Sequence, residues 1–402
     1  MKKSLVLTEP IPLTRVARGV FYVALIFIFV FSHSISYSQN SANITATFKR
    51  IQQQQVVADS YFLKGIFPSY ISKSPRYSEK QKDNNVFYNA LIGYTLSSLK
   101  SNLSDSDKLI VDSIQIQNQL VYQNFKNAKG RNTYNFSRTD TAFTFPYNNW
   151  IPKLRGDLAF PDDLDCTALI LMSQNAPDSV VKQTHELMQL YTNKGKLKTT
   201  FKSYRKSGAY SSWFGKKFPV VFDVSVLCNV LCFVQQNKLE WTKADSASLQ
   251  LIVQTIHQKD HLKHPLFVSP YYGKTSIVLY HLARLMSIKP IAELEVLKPE
   301  FAEEAKKQIQ HSKSSLEKIM LNSALLKWGY QPVDLPFNSY DDLAKGVYKN
   351  DFSFFVGNIP SYKRQPTKEI LTDLKSLQYY YYCNAFNDAL LLEYLVLLNN
   401  RR

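Results

Sequence analysis

The 402-residue chain is 45% apolar with only 12 glycines and 17 prolines, which suits a large helical core and argues against a turn-rich, many-stranded β architecture. Its 25 Tyr and 25 Phe are enough rings to thicken a core or to line a cavity. The formal charge of +17 comes from scattered lysines, not one stripe, so it reads as a solvated basic surface that leaves peripheral contact with a membrane surface open.

The N-terminus has the layout of an export signal. Lys2, Lys3, Arg15 and Arg18 precede the apolar run VFYVALIFIFVF, and Ser36 and Ser38 offer small residues before a cleavage point. The run is shorter than the roughly 20 residues a spanning helix needs, so residues 1–38 are expected to be cleaved and the protein to be periplasmic or secreted; an uncleaved anchor is the alternative. Export argues against nucleic acid as a partner.

Helical periodicity then recurs along the chain, over 43–58, 85–99, 105–128, 164–174, 178–192, 223–236, 244–258, 275–287, 300–323 and 374–398, or about ten to twelve helices with shorter pieces. Cap residues open several of them, as in SDSDKLIVDS and TKADSASLQLIV. No alternating run is long enough to predict a sheet. Apolar helices alternate loosely with amphipathic ones, the pattern of an all-α toroid, a barrel of paired inner and outer helices. The expected organisation is an N-terminal helical extension over 39–79 followed by an α/α-toroid domain over 80–402. Irregular segments at 129–161, 194–221 and 326–364, rich in aromatics and turn residues, are where such a scaffold carries function.

The stretch LAFPDDLDCTALILM, residues 158–172, concentrates acids ahead of an apolar helix. Asp162 or Asp163 can cap that helix, and Asp165 falls in its first turn, where the helix dipole favours a carboxylate. The spacing suits no metal: a magnesium-type DDxxD needs an acid where Cys166 stands, and adjacent Asp165 and Cys166 cannot pair on zinc. A third option is a general acid, a carboxyl kept protonated among other carboxyls and rings.

DLDCTA, residues 163–168, resembles the DxDDTA motif of class II terpene cyclases. That resemblance implies Asp165 as the acid that protonates an alkene or epoxide, with Asp163 as its companion, and aromatic faces that stabilise the cation formed. It extends to NTYNFSRTDTAFTFPYNNW with Tyr134, to FDVSVLCNVLCFV with Asp223 and Asn229, and to SPYYGKTSIVLYHLARL with Tyr271, Tyr272, Tyr280 and Arg284. These look like successive inner-helix motifs of exported bacterial proteins related to the terpenoid cyclase and protein prenyltransferase toroids, over residues 80–400. The chain departs from the cyclases at Cys166, which replaces a second adjacent Asp, and at QQNKLEW, which lacks the glycine of their repeat motif.

Other clusters have simpler readings. HQKDHLKH brings His257, Asp260, His261 and His264 to spacings that could converge on a metal, but also suits a basic helix end. Asp223 is either a helix cap or a cavity carboxylate. QYYYYCNAFND sets four tyrosines around a helix, so that packing accounts for most of them. Cys166, Cys228, Cys232 and Cys383 read as small buried hydrophobes. No P-loop, dinucleotide glycine pattern or nucleophile elbow is present, and no cofactor is expected. The sequence thus points to an exported toroid whose aromatic cavity holds a small molecule or glycan, with Asp165 and Asp163 as catalytic acids and Asp223, Asn229, Tyr134, Tyr271, Tyr280 and Arg284 around the ligand. The alternative is a non-catalytic envelope scaffold or partner-binding protein that keeps the motif as a cap.

Overall fold

A computed structural model describes residues 41–73, 81–140, 161–195, 197–215, 218–337, 339–349 and 351–401. The expected signal segment lies outside them, as does the run at 141–160. No helix among the described residues is long and apolar enough to cross a membrane.

Among the described residues the helices of eight or more residues are α1 (41–53), α2 (Phe87–Leu99), α3 (Asp105–Gln123), α4 (Leu164–Ser173), α5 (Asp178–Gln189), α6 (Val224–Gln236), α7 (Lys243–His257), α8 (Thr275–Ile288), α9 (Lys298–His311), α10 (Ser315–Lys327), α11 (Tyr340–Val347) and α12 (Asn384–Asn399). The even-numbered helices are apolar nearly all round: every residue of α4 is buried, and so is Val224–Val234 of α6. Such a helix needs neighbours on several sides. Accordingly α2 packs on α4, α4 on α6, α6 on α8, α8 on α10, α10 on α12, and α12 back on α2. The odd-numbered helices are amphipathic and cover this cycle: α3 packs on α2, α7 on α6, α9 on α8 and α10, and α11 on α10 and α12. In α9 the buried residues are Phe301, Ala302, Ala305 and Ile309, a stripe at helical spacing. Helix α1 joins the same core through Ile44, Phe48 and Ile51, and Arg50 reaches Asp388 of α12 at 2.6 Å.

Two expectations about the helices need correction. The single helix over 300–323 is two, because Ser314 turns out of helical geometry and caps α10 by accepting from the Glu317 amide. The four tyrosines are not helical either. They form a strand of a four-stranded antiparallel sheet with β1 (Ser69–Ser72), β2 (Gln81–Asp83), β3 (Phe355–Asn358) and β4 (Gln378–Tyr382) in the order β2-β1-β4-β3. Strand alternation then divides the rings. Tyr379 and Tyr381 pack into the main core, while Tyr380 and Tyr382 form a small cluster with Val356. The fold is therefore mostly helical, but not all-α.

The sheet meets the N-terminal ends of several core helices. The Phe355 ring packs at a tilt against Phe87 at the start of α2, with centres 4.5 Å apart, and the Tyr88 hydroxyl donates to the Tyr381 carbonyl at 2.8 Å. On the other side the Val356 amide donates to the Tyr271 carbonyl at 2.8 Å, just ahead of α8. The acidic motif opens α4 at this same end.

Candidate functional site

Residues 162–164 run extended between two other segments. The Asp163 amide donates to the Tyr134 carbonyl at 2.8 Å, Leu164 to Ser212 at 3.0 Å, and Phe214 to Asp162 at 2.9 Å. The backbone of the motif is thereby fixed before the helix begins, and its three aspartates divide into three tasks. Asp162 pairs with Arg131 at 3.1 Å and accepts from Asn127 and Thr133. Asp163 is the N-cap of α4: its Oδ1 accepts from the amides of Asp165 and Cys166 at 2.7 and 3.4 Å, and the Cys166 thiol reaches its Oδ2 at 3.4 Å. Asp165 caps nothing. Its Oδ1 accepts from Asn229 Nδ2 on α6 at 2.7 Å, and its Oδ2 accepts a short hydrogen bond from the Tyr272 hydroxyl.

Asp223 does for α6 what Asp163 does for α4. It accepts from the amides of Ser225 and Val226, and also from the Ser269 hydroxyl at 2.7 Å and the Tyr271 amide at 2.9 Å. The open choice between cap and cavity carboxylate therefore resolves to a cap that also fastens the loop before α8. Burial raises all three acids: Asp165 is pushed up to about 8 by burial and by its neighbour Asp163, Asp163 to about 7 by burial, and Asp223 to about 6 by burial. Lys368 senses Asp223, but its ammonium donates instead to the carbonyls of Thr199 and Phe267, and burial lowers it to about 7. Among the described residues none of these three buried carboxyls is ion-paired, so each holds its proton more tightly than an exposed carboxyl does.

Rings enclose the Asp165 end of the site. Tyr272 stands with its ring centre 4.6 Å from that of His281, 5.6 Å from Phe354, and 6.0 Å from both Phe87 and Phe355. Phe355 also lies parallel to Tyr271 at 6.2 Å. No known family, characterised protein or solved structure matches this chain.

Of the residues expected at the site, Asp163, Asp165, Asp223 and Asn229 come together, and two tyrosines join them through their backbones. Tyr134 receives Asp163 at its carbonyl and gives its amide to the Thr167 hydroxyl at 3.0 Å. Tyr271 gives its amide to Asp223, while its hydroxyl accepts from Trp213 Nε1 at 3.0 Å. Tyr280 and Arg284 belong elsewhere. The Tyr280 hydroxyl donates to Glu393 of α12 at 2.8 Å, and the Arg284 guanidinium lies over the ring of Tyr94.

Sequence reasoning passed over Tyr272 as a site residue in favour of its neighbour Tyr271. Only the turn that closes at Gly273, with φ +65°, decides which of the two hydroxyls faces the acid. His281, three residues before Arg284 on α8, was also missed. Among the described residues no group of three or more His, Cys, Asp or Glu side chains, in the histidine run or elsewhere, has an arrangement that could hold a metal ion. Asp260 instead accepts from the Tyr204 hydroxyl, and His264 packs its ring against Phe201. All four cysteines are buried and free.

Proposed function

We propose that the protein is an exported α/α toroid whose interior binds a small molecule, with Asp165 as a protonated carboxylic acid that donates its proton to that ligand. The toroid is supported by the closed cycle of six apolar helices and the amphipathic helices around it, with the sheet added across one end. The single observation that carries the functional reading is the division of labour in the motif: Asp163 takes the capping role, leaving Asp165 buried, uncapped and bonded across the helix cycle. An acid kept neutral near pH 7 can give up a proton, and the donors Asn229 and Tyr272 already face the carboxylate that remains. The rings of Tyr272, Phe87 and Phe355 offer π faces to a cation formed beside them. This is the chemistry that the cyclase-like motif implies. A basic exterior suits residence at an anionic envelope surface.

A second reading rests on the close approach of those same rings. If they fill the site, Asp165, Asn229 and Tyr272 are a clamp joining α4, α6 and the loop before α8, and the protein is a scaffold for a partner or glycan. Native mass spectrometry of the mature protein purified from its own periplasm, beside Asp165→Asn, separates the two. A small molecule carried by wild type and lost or altered in the variant supports the acid site. Two empty proteins, the variant differing only in stability, would sink it.

A further inference from the structure

Deeper in the helix cycle lies a cation with no carboxylate of its own among the described residues. Arg284 on α8 is only 3% exposed, and neither of its Nη nitrogens makes a hydrogen bond. Its Cζ stands 4.4 Å from the centre of the Tyr94 ring on α2 and 5.5 Å from that of Tyr280. The Tyr94 hydroxyl lies close enough to the guanidinium for a weak, long contact, but it is a neutral group and leaves the charge unbalanced. The carboxylate whose charge acts on this arginine, Glu393, is occupied by Lys327 at 3.1 Å and by the Tyr280 hydroxyl. Two cations thus share one carboxylate, and a single positive charge is left over. A guanidinium cannot shed its proton to escape this burial, unlike a lysine or a histidine.

Unmet hydrogen-bonding capacity continues one turn toward Asp165. Asn229 Oδ1 on α6 and His281 Nε2 on α8 are buried without partners. His281 gives its other ring nitrogen's proton to the Ile277 carbonyl at 2.8 Å, which leaves Nε2 a bare acceptor in a neutral ring. On α8 the His281 acceptor and the forked donors of Arg284 therefore lie about one helical turn, roughly 5 Å, apart, with the Asn229 acceptor on the adjacent core helix.

We propose that Arg284 anchors the carboxylate of a small organic acid whose apolar or aromatic body lies against Tyr94 and Tyr280. One surplus positive charge matches a monoanion better than a phosphate dianion, and the planar fork of free N–H groups matches a carboxylate's two oxygens. This deepens the interior-ligand reading above by naming the ligand class. It rests on there being such a ligand, but not on Asp165 acting as a proton donor.

The probes are benzoate and acetate, with inorganic phosphate, chloride at matched ionic strength and the neutral benzyl alcohol as controls, each read by thermal unfolding of the mature protein. Benzoate is expected to raise Tm saturably, acetate less so, and phosphate and benzyl alcohol no more than chloride. Arg284→Met should abolish the benzoate response and, without benzoate, be at least as stable as wild type, because it removes an unpaired buried charge. If that variant fails to fold, Arg284→Lys keeps the charge without the fork and should weaken the benzoate response at least tenfold in the concentration required. A wild type indifferent to benzoate, or an equal response in either variant, overturns the proposal. Asp165→Asn serves to separate the two ideas: it should keep the benzoate response even if its periplasmic preparation shows that Asp165 has no role in ligand chemistry.

Discussion

Asp165→Asn should make the protein more stable above pH 8 and leave it nearly unchanged at pH 5. In the native state Asp165 is held at about 8, mainly by burial and then by Asp163, whereas an unfolded chain releases the same proton near pH 4. Between those values the folded form binds a proton that the unfolded form lacks, so stability is complete below the ordinary carboxyl range and falls as pH rises through about 8. Taken alone the displacement is worth on the order of 5 kcal/mol, and mutual repulsion with Asp163 and Asp223 makes that a ceiling for the cluster. An amide removes the titration while keeping a carbonyl for Asn229 and leaving Tyr272 an NH2 to bond, so the loss at pH 5 should stay within about 1 kcal/mol. Urea unfolding of both proteins from pH 5 to 9 reads this directly. The wild-type midpoint should fall with pH, and that of the variant should fall much less. A variant less stable by about 1.5–3 kcal/mol at every pH would mean that Asp165 is ionised and held by charge-assisted bonds, and would refute the argument.

Three further substitutions probe the frame that holds the acid. Asn229→Leu strips Asp165 Oδ1 of its donor and should cost about 1–3 kcal/mol in urea unfolding, with the pH-dependent fall moved to higher pH because the ionised carboxyl loses support. Asp388→Ala leaves Arg50 facing a buried gap beside Gln54 and Tyr348; because the Arg50 side chain keeps 26% exposure, the cost should be about 2–3 kcal/mol, below that of a fully buried broken pair, checked by the same midpoint. Gly273→Ala places a Cβ 2.6 Å from Leu266 Cδ1 at φ +65°, which should cost about 1–3 kcal/mol and loosen Tyr272, visible as a changed pH dependence as well as a lower Tm.

Much of the helical frame is legible in the sequence because an apolar core helix carries its burial in its own composition. The run LDCTALILM and the stripe Phe301, Ala302, Ala305 and Ile309 show core and covering helices without reference to anything distant. The sheet is not legible for the opposite reason. Its strands are three to five residues long, β4 is buried on both faces so no polar alternation marks it, and its partners lie far along the chain at Ser69–Ser72 and Phe355–Asn358. At the site, the capping chemistry of Asp163 and Asp223 is local and could be anticipated. The bond from Tyr272 to Asp165 spans 107 positions and depends on a turn, so residue type alone cannot choose it over Tyr271.

Cys166 stands beside the capping acid, and its contacts show how it bears on the protons of the cluster. Its thiol, kept protonated by burial and by Asp163, is a weak donor to the second oxygen of the capping carboxylate. Donation to Asp163 favours that residue's charged form, so whatever proton the cluster holds is steered toward Asp165. Cys166→Asp would reverse this by setting a fourth carboxyl beside Asp163, where like charges cannot both ionise in a buried site. The native state should then take up one more proton near neutrality, and the fall in urea midpoint between pH 5 and 8 should steepen, with little change at pH 5 beyond the altered packing. The same variant carrying Asp165→Asn should retain the added steepness if the new proton is shared with Asp163, and lose it if it is shared with Asp165. An unchanged slope in the single variant would mean that the added carboxyl has turned to water, and that the thiol is a packing residue with no hold on the proton.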